Sequence, residues 1–163
     1  MAQVPVLRTD EGELLTENPV IPQYVADRHP TSGLAPQGGI QRYRLQQWLN
    51  FITSELHKFV YSPLLDSKAP DVTKAYARDK ATSRLAYLAA HLDGREFLLD
   101  GFTVADAYLI TVLNWSRASG IDLSPWPPVL AYVRRMQARP SVAKAVAEEY
   151  ALYKAEQEER TAA

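Results

Sequence analysis

The chain reads as a small α/β fragment, a β-hairpin plus one helix, followed by an all-α helical bundle, and is predominantly α. Three observations carry that reading. Strand-like alternation occurs only before residue 17, on either side of a turn-forming Asp10-Glu11-Gly12. Apolar residues then recur at three- and four-residue steps from Ile40 almost to the end. Between the two lies 31–39, a stretch with Ser, Pro and three glycines that suits an interdomain linker.

The elements follow in order. Residues 3–9, with Val4, Val6 and Leu7, and residues 13–16 make the two strands. In Glu17-Asn18-Pro19, Asn18 is placed to cap a helix and Pro19 to sit in its first turn. Val20, Ile21, Tyr24 and Val25 keep helical spacing, and His29-Pro30 ends the element. In the bundle, Leu45, Trp48, Leu49, Ile52, Leu56 and Phe59 form the stripe of one long amphipathic helix. A second helix is expected over 71–92, with Tyr76, Leu85 and Leu88 among its apolar positions. The third spans 104–119, and its Val104, Tyr108, Leu109, Val112 and Leu113 suggest nearly complete burial. A fourth starts at Pro127-Pro128 and stops before Pro140, and a fifth follows from Ser141. Thr103 and Asp106 open the third helix as a capping box, a structural role, with Phe102 placed for a small staple contact on Ala107. The expected boundaries are a partial α/β domain over 1–33, a linker over 34–39, a helical domain over 40–155 and a charged tail over 156–163.

Composition excludes several classes of function. Hydrophobic residues make up 47% and charged residues 23%, too apolar for disorder. The net charge of −1 gives no electrostatic reason to expect nucleic acid or an anionic membrane. No apolar run approaches the roughly 20 residues that span a bilayer, and the N-terminus lacks a basic-then-apolar leader. Cysteine is absent, so disulfides, thiolate metal sites and a cysteine nucleophile are excluded within these residues, and no metal site is expected. A cytoplasmic protein is the expectation. The hairpin reads as incomplete, because two strands alone are marginal in water and expose two edges. Either another chain pairs with it, or the parent protein has residues upstream of Met1.

The segment QVPVLRTDEGELLTENPVIPQYVADRHP resembles the second half of a thioredoxin-like glutathione-binding domain. LQQWLNFITSELHKFVYSPLL resembles the first long helix of beta-class bacterial glutathione transferases, and DGFTVADAYLITVLNW the buried central helix of cytosolic ones. The resemblance covers nearly the whole chain in order and lacks the family's opening strand–helix–strand, roughly fifty residues, well under one domain. It implies conjugation of the glutathione thiolate to hydrophobic electrophiles, glutathione as substrate, and a homodimer.

The resemblance also assigns residues. At Val4-Pro5, next to Gln3, it implies a cis peptide bond and a valine backbone that pairs with the cysteinyl part of glutathione; the residues alone also fit an ordinary edge strand. It places Glu17 and Asn18 at the γ-glutamyl end, where a helix N-terminus favours a carboxylate. Asn50, His57 and Lys58 sit where beta-class proteins bring polar side chains toward glutathione. Asn50 and His57, seven residues apart, would share a helix face. His57 would orient or polarise the thiol, since both its charge states are accessible near pH 7, although a lone helix histidine is more often a surface or capping residue. Trp115 would line the acceptor pocket; a core aromatic is the equal alternative.

In this family the principal thiol-activating residue lies in the segment not matched here. Three readings therefore stand: a transferase, impaired in this short chain, whose start falls at an internal Met1; a non-catalytic module that keeps the fold for binding; and a helical scaffold without ligand. Val4, Glu17, Asn50, His57 and Lys58 argue against the third, because a scaffold needs none of them.

Overall fold

The computed structural model describes residues 4–162. Strands β1 (Val6–Arg8) and β2 (Leu14–Thr16) pair antiparallel, with Val6 opposite Thr16 and Arg8 opposite Leu14. Their connection closes through Thr9: its N–H donates to the Glu13 carbonyl at 2.8 Å, and its Oγ1 accepts from the Glu13 N–H at 3.2 Å. Gly12, at φ 88°, takes the left-handed position that a side chain would resist.

Helix α1 (Ile21–Arg28) begins later than the sequence suggests. Asn18 does not cap it. Glu17 sits at φ 75°, and its carbonyl accepts from the N–H groups of Val20 and Ile21, so 18–20 form a turn ahead of the helix. A short turn, Pro30–Ser32, and the linker then lead into α2 (Gly39–Phe51).

The expected long helix is continuous but not uniform. After α2 the backbone winds in a wider π form, closing i→i+5, over Ile52–Tyr61, and tightens again in α3 (Ser62–Leu65). The buried stripe shifts accordingly. Leu45, Leu49, Ile52 and Leu56 are fully buried as expected, but Val60 and Tyr61 then take the core positions and Phe59 is left half-buried.

Helix α4 (Asp71–Leu92) has the predicted limits; Ala77, Ala81, Leu85, Leu88 and Leu92 face inward. Tyr76 does not: it is exposed, its ring edge-on to Phe59 at 5.7 Å. Helix α5 (Val104–Asn114) is the buried central helix, packed by α1, α2, the π segment and α7 (Pro127–Gln137). The predicted 104–119 helix breaks at Trp115, with a last turn, α6, over Ser116–Ser119. Finally α8 (Pro140–Ala162) absorbs the supposed tail: 156–160 is helical, with Lys154–Glu158 and Glu156–Arg160 pairs along its side.

Asp106 ties the bundle together. Its Oδ2 accepts from the Thr103 N–H at 2.9 Å and the Thr103 hydroxyl at 3.0 Å, closing the predicted box. Its Oδ1 accepts from the Leu98 N–H at 2.9 Å and the Tyr132 hydroxyl at 3.0 Å. Phe102 lies against Phe97 and under the Arg139 guanidinium, 4.1 Å from the ring centre.

Candidate active site

The hairpin, the turn before α1, the π segment and α5 meet at a polar cleft of about 360 Å³. Val4, Pro5, Val6, Thr16, Glu17 and Asn18 line one side. Thr53, His57, Lys58 and Tyr108 line the other. The Val4–Pro5 peptide is cis. Val4 is 93% exposed, so the start of the hairpin stands open beside the cleft.

Six of the residues singled out in the sequence thus come together: Val4, Pro5, Glu17, Asn18, His57 and Lys58. Gln3 lies outside the described residues. Asn50 is exposed on α2 and is not part of the cleft lining.

His57 is held from two sides. Its Nδ1 lies 2.7 Å from the Tyr108 hydroxyl, and its ring meets Trp115 edge-on at 4.9 Å. Partial burial, and then the charge of neighbouring Lys58, hold its pKa below the usual histidine value. Burial raises the pKa of the Tyr108 hydroxyl, which also faces Asn18, Thr53 and the charge of Glu17. Thr53 Oγ1 donates to the Leu49 carbonyl at 2.8 Å and stands 3.4 Å from the Tyr108 oxygen.

Tyr108 and Thr53 are the site residues that sequence reasoning missed. The signal for Tyr108 was present: a buried tyrosine needs a partner for its hydroxyl, and the facing helix offers His57. Trp115 touches His57 with one edge and lines a second, larger cavity of about 820 Å³ between α5 and α8. That cavity is mostly apolar, with Phe102, Ile110, Val142, Val146 and Tyr150 among its walls. Thr103 and Asp106 stand apart from the cleft, in the structural box. Among the described residues, no group of three or more His, Asp or Glu could hold a metal ion, and no helix is long and apolar enough to cross a membrane.

The cleft pairs a cation, an anion, an imidazole and an open strand, a combination suited to a small zwitterionic peptide. Known proteins resemble this chain over most of its length. The family model for the glutathione S-transferase C-terminal domain matches residues 49–140. The chain is 40% identical to glutathione S-transferase GstA of Escherichia coli over 149 residues, covering 90% of this chain and 74% of that protein. A glutathione S-transferase of Xanthomonas campestris is 35% identical over 152 residues, covering 88% and 74%. Among solved structures, a ternary complex of the bacterial glutathione transferase BphK superposes with a TM-score of 0.86 at 46% identity, over 90% of this chain and 74% of that one. A beta-class enzyme of Sphingomonas chungbukensis gives 0.84 at 41% identity, over the same shares.

Proposed function

The chain belongs to the glutathione S-transferase family, and we propose that it binds glutathione in the cleft of Val4, Glu17 and His57 and presents the thiol to hydrophobic electrophiles. The observation that carries this is the convergence of complementary groups on one 360 Å³ cleft. Glutathione offers an ammonium and a carboxylate at one end, a peptide backbone and thiol in the middle, and a carboxylate at the other. Glu17 suits the ammonium, Lys58 a carboxylate, and the open backbone at Val4 a peptide strand. A solved relative is a sphingomonad glutathione S-transferase complexed with glutathione, 42% identical.

The chemistry is nucleophilic. A free thiol of pKa about 8.5 is only a few per cent ionised at pH 7, and donors aimed at the sulfur raise that fraction. The thiolate then forms the S–C bond while the electrophile's leaving group or π electrons depart. The acceptor would lie against Trp115, which joins the cleft to the apolar cavity. The proposal extends to a cytoplasmic, detoxifying homodimer; the exposed Tyr87, with the groove it lines beside Trp48 and Phe51, offers apolar surface for self-association.

We expect slow conjugation by the 163-residue chain itself. Both outer edges of its hairpin are unpaired among the described residues, and Val4, Val6 and Leu14 are exposed, so the strand that must grip the peptide is weakly fixed. That favours a binding module as the second reading. Calorimetric titration with glutathione tests the first step: binding at millimolar or tighter affinity is expected, weakened about tenfold by Glu17→Ala. No heat of binding at millimolar glutathione would sink it. Conjugation measured at saturating glutathione then separates enzyme from binder.

A further inference from the structure

We propose that Tyr108 is a positioning residue: its hydroxyl donates to His57 Nδ1, fixes the ring as the Nε2–H tautomer, and makes His57 a hydrogen-bond donor to the thiolate rather than the base that removes the thiol proton. This rests on the glutathione reading above and deepens it.

The geometry decides the direction of the bond. At 2.7 Å the His57–Tyr108 contact is the shortest that either side chain makes. A tyrosine hydroxyl has one proton. The Thr53 hydroxyl gives its own proton to the Leu49 carbonyl at 2.8 Å, and its oxygen is 3.4 Å from Tyr108, too far to compete. The Asn18 side chain also faces the Tyr108 hydroxyl. In the forward arrangement the phenol proton lies in the shortest bond, 2.7 Å, and the second ring nitrogen carries the ring's proton. Reversed, with Nδ1–H donating, the phenol proton would have to turn to the distant Thr53 oxygen or to Asn18.

The electrostatics support the same state. Burial favours the neutral form of both partners, lowering His57 and raising Tyr108. The charged groups around the pair are Lys58 on its own segment and Glu17 from the turn before α1. Lys58 disfavours imidazolium, and Glu17 disfavours phenolate. A neutral imidazole with Nδ1 already occupied has no lone pair free for the thiol proton, which leaves to solvent, while Nε2–H remains to stabilise the sulfur anion.

The test reads the tautomer first, in the ligand-free protein. Nitrogen-15 chemical shifts of His57 at pH 7.5 should show Nε2 protonated and Nδ1 bare, and Tyr108→Phe should mix the tautomers. An Nδ1–H ring in the native chain overturns the proposal, and so does a folded Tyr108→Phe protein with unchanged shifts. If Tyr108→Phe does not fold, the native tautomer alone decides. In the second measurement, thiolate absorbance of bound glutathione is titrated. Tyr108→Phe should reduce the thiolate fraction about tenfold at fixed pH, the worth of one hydrogen bond. Absence of glutathione binding would refute the function proposed above while the tautomer result still stood.

Discussion

Replacing Asp106 by alanine should cost far more than a helix cap. The cap alone is worth about 1 kcal/mol. But the Asp106 carboxyl is 0% exposed and accepts four hydrogen bonds, two of them from outside the α5 N-terminus: Leu98 N–H at 2.9 Å and Tyr132 O–H at 3.0 Å. Alanine leaves both of those donors buried without a partner, at about 1–3 kcal/mol each, and also orphans the Thr103 N–H. Burial, and then the Asp106 charge, push the Tyr132 hydroxyl's pKa well above its usual value, so it stays protonated and cannot escape by ionising. Relief from burying the carboxyl offsets part of this, which brings the net loss to about 3–5 kcal/mol. For a chain of this size that lowers Tm by roughly 10 °C. Urea unfolding with an unchanged m-value is the assay. Tyr132→Phe should cost about 1 kcal/mol, and the double variant less than the sum, because the two share a bond. A loss below about 1 kcal/mol in Asp106→Ala would refute the reasoning, since it would mean that only the cap had been removed.

Other outcomes follow from the same structure. Burial raises the Tyr61 pKa to about 12, partly offset by its hydrogen bond to Ser116. A raised folded pKa is a stabilisation complete below pH 10 and lost as pH climbs toward 12, about 2–3 kcal/mol in all; Tyr61→Phe should flatten stability over that window, measured by urea midpoints at each pH. Lys58→Ala should weaken glutathione binding by about tenfold whereas Asn50→Ala, outside the cleft lining, should leave it unchanged, read by calorimetry; equal losses would mean that Asn50 also reaches the ligand. His57 should titrate below the usual histidine value by proton NMR, and Lys58→Ala should move it upward, because a like charge is removed.

What could be read from the sequence depended on whether the signal was local. Helix α4 was legible in extent, 71–92, because apolar positions such as Leu85 and Leu88 recur at helical spacing. The box of Thr103 and Asp106 was legible for the same reason, as its two members lie three residues apart. Tertiary partners were not: nothing near Asp106 in sequence announces Leu98 and Tyr132, and Tyr108 read as one more apolar position of a buried helix. The π segment is the sharper case. Leu45, Leu49, Ile52 and Leu56 fit an ordinary helix, and only Val60 and Tyr61, buried where Phe59 was expected, record the wider turn. His57 nevertheless meets Tyr108, and Asn50 stays outside the cleft lining. Which groups His57 meets is set by α5 and the residue that follows it, whose Tyr108 and Trp115 no local pattern ties to His57.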